Sequence, residues 1–71
     1  GMLNAKKARE LAEQNKISNT LLNLEKAIKK AVEKGADHIL TMSTITAEIE
    51  NKLIESGYKV EQQISGTKIS W

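Results

Sequence analysis

The stretch Gly57-Tyr-Lys-Val-Glu-Gln-Gln-Ile-Ser-Gly-Thr-Lys-Ile-Ser-Trp71 decides the fold, because it has the alternating pattern of a β-hairpin. Two alternating runs, residues 58–64 and 67–71, flank Ser65-Gly66, and glycine tolerates the backbone angles of a tight two-residue turn. A turn at this position predicts three cross-strand pairs: Ile64 with Thr67, Gln62 with Ile69, and Val60 with Trp71.

This register sorts the hairpin into two faces. The mostly apolar face comprises Tyr58, Val60, Gln62, Ile64, Thr67, Ile69 and Trp71. The polar face comprises Lys59, Glu61, Gln63, Lys68 and Ser70. Such a division is typical of a sheet that packs on helices from one side and meets water on the other. We therefore expect both aromatic residues to help close the core.

The first half of the chain predicts a long helix. Asn4 is a good N-cap, and residues 5–34 contain neither Pro nor Gly. Two apolar stripes face different directions: Ala5, Ala8, Leu11 and Ala12, then Leu21, Leu24, Ile28, Ala31 and Val32. One continuous helix is favoured over a short helix followed by a longer one, because residues 15–20 contain no obligatory breaker. In the alternative, Ser18 would cap the second helix.

The remaining elements complete an α-β-α-β-β order. Gly35 ends the long helix, and residues 38–42 predict a short strand. Residues 47–56 predict a second helix, with Ile49, Leu53 and Ile54 at helical spacing. The predicted fold class is α+β, with a three-stranded sheet packed on two helices. We favour the last strand at the centre of the sheet; the alternative pairs the first strand directly with residues 58–64.

Length and composition indicate one small domain over residues 2–71, with Gly1 as an expression scar. A helix over residues 4–34 would be about 45 Å long, which is longer than the sheet and the second helix could cover. Residues 4–17 are therefore predicted to project as a helical arm; the alternative is that this N-terminal segment is frayed. The chain has no cysteine and no apolar run approaching the roughly 20 residues that span a bilayer. We expect a soluble protein without a secretory signal, in the cytoplasm of a host cell or in a virion, and no membrane partner.

The sequence offers little to catalysis. It has one histidine, no phosphate-binding glycine loop and no cluster of residues at metal-ligand spacing. Asp37 and His38 are adjacent, and neighbouring side chains of a strand point to opposite faces, so they are not expected to form an acid-base pair. We predict no enzymatic activity, no catalytic residue, no cofactor and no metal.

Charge is distributed unevenly along the chain. Residues 4–34 carry a net charge of +4 and residues 35–71 a net charge of −2, giving +2 overall. Lys26, Lys29 and Lys30 are candidate contacts to nucleic-acid phosphates, because Lys26 and Lys30 are one helical turn apart with Lys29 beside them. The favoured interpretation is a solvated helix face, whose last lysines also compensate the helix dipole.

The chain resembles small uncharacterised proteins of tailed bacteriophages and prophages. The resemblance lies in Ala5-Lys-Lys-Ala-Arg-Glu-Leu11, Ile28-Lys-Lys-Ala-Val-Glu-Lys-Gly35, Leu53-Ile-Glu-Ser-Gly-Tyr-Lys-Val60 and Ile69-Ser-Trp71. It implies a phage context and an interaction role, and it assigns no functional residue.

Taken with the overlong helix, these features predict a non-enzymatic structural or interaction module. We expect it to bind itself or another phage protein through Ala5, Ala8, Leu11 and Ala12. The alternative function is a nonspecific nucleic-acid-binding accessory protein that uses the basic long helix.

Overall fold

A computed structural model of the chain describes residues 2–71; Gly1, the predicted expression scar, lies outside this range. The elements are α1 (Ala5–Glu33), β1 (His38–Thr41), α2 (Ala47–Glu55), β2 (Lys59–Gln63) and β3 (Gly66–Ser70). The α+β fold class and its α-β-α-β-β order are confirmed. The first helix runs without a break through residues 15–20, so the favoured continuous helix is also confirmed.

Local sequence signals set the ends of both helices. The Asn4 side chain caps α1 by accepting a hydrogen bond of 2.8 Å from the backbone N–H of Lys7. At the other end the N–H of Ala36 reaches the carbonyl of Ala31 at 2.9 Å, and Gly35 has φ +80°. These features form a Schellman motif, in which the residue after the cap takes a left-handed conformation that favours glycine. The same motif ends α2, around Gly57.

The sheet has the order β1-β3-β2, and β3 pairs antiparallel with both neighbours. The last strand is therefore central, as the sequence favoured, and β1 and β2 run in the same direction. The central position suits Ile69, whose exposed fraction is 0%. A β-branched residue packs well on a pleated surface that is covered by neighbours.

The predicted register of the hairpin is wrong: the turn lies one residue earlier than predicted, which shifts every cross-strand partner by two residues. The observed pairs are Gln63 with Gly66, Gln62 with Thr67, Val60 with Ile69, and Lys59 with Ser70. The two turn residues are therefore Ile64 and Ser65, instead of Ser65 and Gly66.

Gly66 explains this shift, because it belongs to β3 and lies against β1. A Cβ atom on Gly66 would come within 2.7 Å of the Thr41 carbonyl oxygen. The observed register also lets the Thr67 hydroxyl donate a hydrogen bond of 3.0 Å to the side-chain oxygen of Gln62. Both residues of each pair still share a face, because moving the turn by one residue changes the partners without breaking the alternation.

The core lies between the two helices and one face of the sheet. Its buried side chains are Ile17, Leu24, Ile28, Ile49, Leu53 and Ile69. Leu21, Ile39, Ile45, Tyr58 and Val60 pack around them and are partly buried. The predicted core positions Leu24, Ile28, Leu53 and Ile69 are confirmed, and the second stripe of α1 extends back to Ile17.

Three predicted core residues are largely exposed. Ile64 is fully exposed because it occupies the turn, and Ile54 lies on the outer side of α2 with an exposed fraction of 51%. Trp71, predicted to close the core, is 41% exposed. It follows the end of β3, where its ring meets that of Tyr58 edge-on with the centroids 6.2 Å apart. Trp71 therefore does not fill the core; it packs against Tyr58, which lies at the border of the core.

Candidate functional site

The most distinctive surface is the first third of α1. Every residue from Met2 to Lys16 is exposed, and Ile17 is the first buried residue of the chain. We call residues 2–16 the arm. Its helical part, residues 5–16, extends about 18 Å at 1.5 Å per residue. The domain is correspondingly elongated, measuring 51 × 25 × 21 Å along its principal axes.

The helix brings the four candidate contact residues of the arm onto one face. Ala5, Ala8, Leu11 and Ala12 are all exposed, and Leu11 has an exposed fraction of 39%. At 3.6 residues per turn, this apolar face lies about half a turn away from the stripe of α1 that packs on the core. A partner bound there would therefore not collide with the sheet or with α2.

The arm is also a helix without tertiary support. Isolated helices shorter than about 12–15 residues are marginal in water, and most helical stability in proteins comes from packing an apolar face. The Asn4 cap supplies one local stabilising bond. Packing of the exposed alanine and leucine face on another surface would supply the stabilisation that the domain itself does not.

The three candidate lysines are all exposed, but they do not form a single group. Lys26 and Lys30 lie on the same side of α1, whereas Lys29 lies about 60–100° around the helix from them. Lys16 and Lys34 align with Lys26 and Lys30 along the same side.

The outer sector of α1, about 100° wide, defines what we call the basic stripe. It comprises Lys16, Asn19, Asn23, Lys26, Ala27, Lys30 and Lys34, all of them exposed. The sequence-based prediction named Lys26, Lys29 and Lys30 and did not group Lys16 with them. The stripe is found by counting 100° per residue along one unbroken helix, which places Lys16 on the same side as Lys26, Lys30 and Lys34.

Asp37 and His38 form a side-chain pair, and the expectation that they would not is wrong. Asp37 Oδ1 and His38 Nδ1 are 2.8 Å apart. Strand alternation does not separate them, because Asp37 precedes β1 and its side chain is free to turn towards the ring. Within residues 2–71 this is the only contact at ion-pair distance, and it is an ion pair only when His38 is protonated.

The contact with His38 shifts the pKa of Asp37. The hydrogen bond from His38 is the largest cause that lowers the pKa of Asp37 below its usual value of 3.8. With the carboxylate ionised, His38 Nδ1–H donates the hydrogen bond to Asp37 Oδ1. Ser70 is the cross-strand partner of His38 on the open face of the sheet. The Asp37 side chain is largely exposed to solvent, which weakens the interaction by screening.

The open face of the sheet is mixed in charge, as the sequence predicted. A shallow concavity of about 370 Å³ lies there, lined by Asp37, Gly57, Lys59, Glu61, Lys68, Ser70 and Trp71. In residues 2–71 no cluster of three or more His, Asp or Glu side chains could hold a metal ion. Neither of the two helices has the length and apolarity needed to cross a membrane.

Comparison with protein families, curated proteins and solved structures gives no match to this chain. The resemblance to bacteriophage proteins therefore stays a prediction, and the functional argument depends on the geometry of the arm and of the α1 surface.

Proposed function

We propose that this protein is an interaction module that self-associates through the arm. The single observation that supports the proposal is that every residue from 2 to 16 is exposed, although this segment includes a capped helical stretch with an apolar face. The most economical arrangement is a two-fold dimer in which the same face of each arm packs on its counterpart. Alanine at three of the four contact positions would allow a close approach of the two helix axes.

The size of the arm bounds the strength of this association. Specific, stable interfaces bury about 1,200–2,000 Å² in total. Two copies of one face of a twelve-residue helix, with mostly alanine side chains, would bury a total area smaller than this range. We therefore expect a dimer that forms at high micromolar concentration and dissociates on dilution. The like charges of Arg9 and Lys16 at the margins of the face would weaken it further at low salt.

Sedimentation equilibrium over a range of protein concentrations tests the proposal. The average mass should rise towards twice the monomer mass as concentration increases. Removal of residues 2–16, or the substitution Ala12→Glu, should abolish the rise because either change removes or charges the apolar face.

Ala27→Glu is the matched control, because it makes the same change at an exposed alanine of α1 that lies outside the arm. It should leave self-association unchanged. A protein that stays monomeric at millimolar concentration, or a loss of association that is equal in the two variants, would contradict the proposal.

A further inference from the structure

The basic stripe on the outer face of α1 carries four lysines and no carboxylate. The nearest helical carboxylate, that of Glu33, lies just outside the sector. Because the only contact at ion-pair distance in residues 2–71 is Asp37–His38, no lysine of the stripe is neutralised by its own chain. From Lys16 to Lys34 the stripe is about 27 Å long at 1.5 Å per residue. Lys26, Lys30 and Lys34 follow one another at one-turn spacing, and Lys16 lies about 15 Å before Lys26 along the helix.

The helix dipole explains only part of this surface. Cations near a helix C-terminus are stabilised by the dipole, but the effect is confined to the last turn. Lys30 lies in the last turn of α1 and Lys34 is its C-cap, so these two are accounted for. Lys26 lies nearly two turns before the end, and Lys16 lies near the middle of the helix. The dipole does not account for the alignment of these two lysines with Lys30 and Lys34.

The chemistry around the lysines favours a nucleic-acid duplex over other polyanions. A helix that binds a membrane surface needs an apolar face in addition to its basic one. The apolar face of α1 at this level is already buried against the core, through Leu24 and Ile28. Single-stranded nucleic acid is held largely by aromatic stacking, and the stripe contains no aromatic residue.

We propose that the basic stripe of α1 binds the major groove of B-form DNA. A helix is about 10–12 Å across with its side chains, and that groove is about 12 Å wide. The buried side of α1, which includes Leu24 and Ile28, faces the rest of the domain about 130° around the helix from the centre of the stripe. The deep, narrow major groove of duplex RNA does not admit such a helix.

Two amide side chains refine the proposed contact. Asn19 and Asn23 lie one turn apart between Lys16 and Lys26, and both are exposed. An asparagine amide is suited to the edge of adenine in the major groove, while lysines contact the phosphates on either side. The small side chain of Ala27 allows the helix to approach the groove closely. DNA binding would thus combine electrostatic attraction between the lysines and the phosphates with hydrogen bonds from the asparagines to base edges.

Fluorescence anisotropy with a labelled DNA duplex of about 20 base pairs, titrated at several salt concentrations, tests this proposal. Four neutralised phosphates predict a slope of log affinity against log salt of about −3.6, which is roughly a 150-fold loss of affinity between 50 and 200 mM salt. The double variant Lys26→Gln/Lys30→Gln should halve the slope and reduce that loss to about 12-fold. Circular dichroism would check that the helix content of each variant is unchanged.

The matched control is the double variant Lys29→Gln/Lys59→Gln, which removes the same charge outside the stripe. It should keep a slope close to that of the unaltered protein. The same titration is run with a duplex RNA, a single-stranded DNA, polyglutamate and phosphatidylserine vesicles. Failure to bind the DNA duplex at low salt, equal effects of the two double variants, or tighter binding to any of the other four probes would overturn the proposal. The stripe lies on the same side of α1 as the apolar face of the arm and begins within the arm at Lys16, so the titration is run at protein concentrations well below those at which self-association is expected.

Discussion

Replacing one isoleucine of the hairpin at a time tests the observed register directly. Ile69 and Ile64 lie in the same hairpin, yet Ile69 is 0% exposed and Ile64 is fully exposed in the turn. The substitution Ile→Ala removes the same atoms at both sites. Any difference in stability therefore reports the difference in their surroundings.

The expected magnitudes are far apart. Replacing a buried Ile by Ala costs about 2–5 kcal/mol, and the higher values occur where the site cannot collapse. Ile69 is enclosed by both neighbouring strands and by the buried residues of α1 and α2, so we expect about 4 kcal/mol. A 71-residue domain has a total stability of about 4–10 kcal/mol. Ile69→Ala should therefore retain only about 0–6 kcal/mol of stability at 25 °C, whereas Ile64→Ala should change stability by less than about 0.5 kcal/mol.

Urea unfolding followed by circular dichroism measures both changes. Ile69→Val provides a milder variant in case the alanine variant fails to fold, and it should cost about 1 kcal/mol, or about 4–8 °C in Tm. The register that places Ile64 opposite Thr67 on the core face makes a different prediction. A loss of about 2 kcal/mol or more in Ile64→Ala, comparable with that of Ile69→Ala, would refute the observed register.

Individual contacts lead to four further predictions. Gly66→Ala should destabilise the domain by more than about 1 kcal/mol, because its Cβ would meet the Thr41 carbonyl oxygen; Gly57→Ala, with φ +93° and no such neighbour, should cost less in the same urea titration. Thr67→Val should cost about 0.5–1.5 kcal/mol through loss of the hydrogen bond to Gln62, with Gln62→Leu as the second arm of a double-mutant cycle. Removal of Trp71 should cost less than the 3–5 kcal/mol typical of a buried aromatic, because the ring is 41% exposed. Since the folded-state pKa of Asp37 is lowered, its contribution to stability is present above the usual value of 3.8 and is lost as pH falls through the folded-state value; carboxyl NMR titration should return that pKa towards 3.8 in His38→Ala.

The helices and strands could be predicted because their signals are local. Asn4 caps α1 through a bond that spans three residues, and the Schellman motifs at Gly35 and Gly57 involve five or six consecutive residues. The two faces of the hairpin were also predicted correctly, because alternation survives a change of cross-strand partner. The apolar face of the arm follows from helical spacing alone.

The contacts that individual residues make between and beside those elements were harder to predict. An error of one residue in the turn moved Ile64 from the expected core to full exposure and paired Val60 with Ile69 instead of Trp71. The Asp37–His38 pair was missed because an argument about strands was applied to a residue that lies before the strand. The basic stripe required knowledge that α1 is unbroken, since the phase of Lys16 relative to Lys26 depends on every intervening residue.

The amino-acid sequence alone was enough to locate each helix and strand and to identify the apolar face of each. Those properties depend on hydrogen bonds and side-chain periodicity within a few residues. Only the tertiary structure decided the register of the hairpin and the depth at which each apolar residue is buried. The physical reason is the contact of Gly66 with the Thr41 backbone, which joins residues far apart in sequence and leaves room for no side chain.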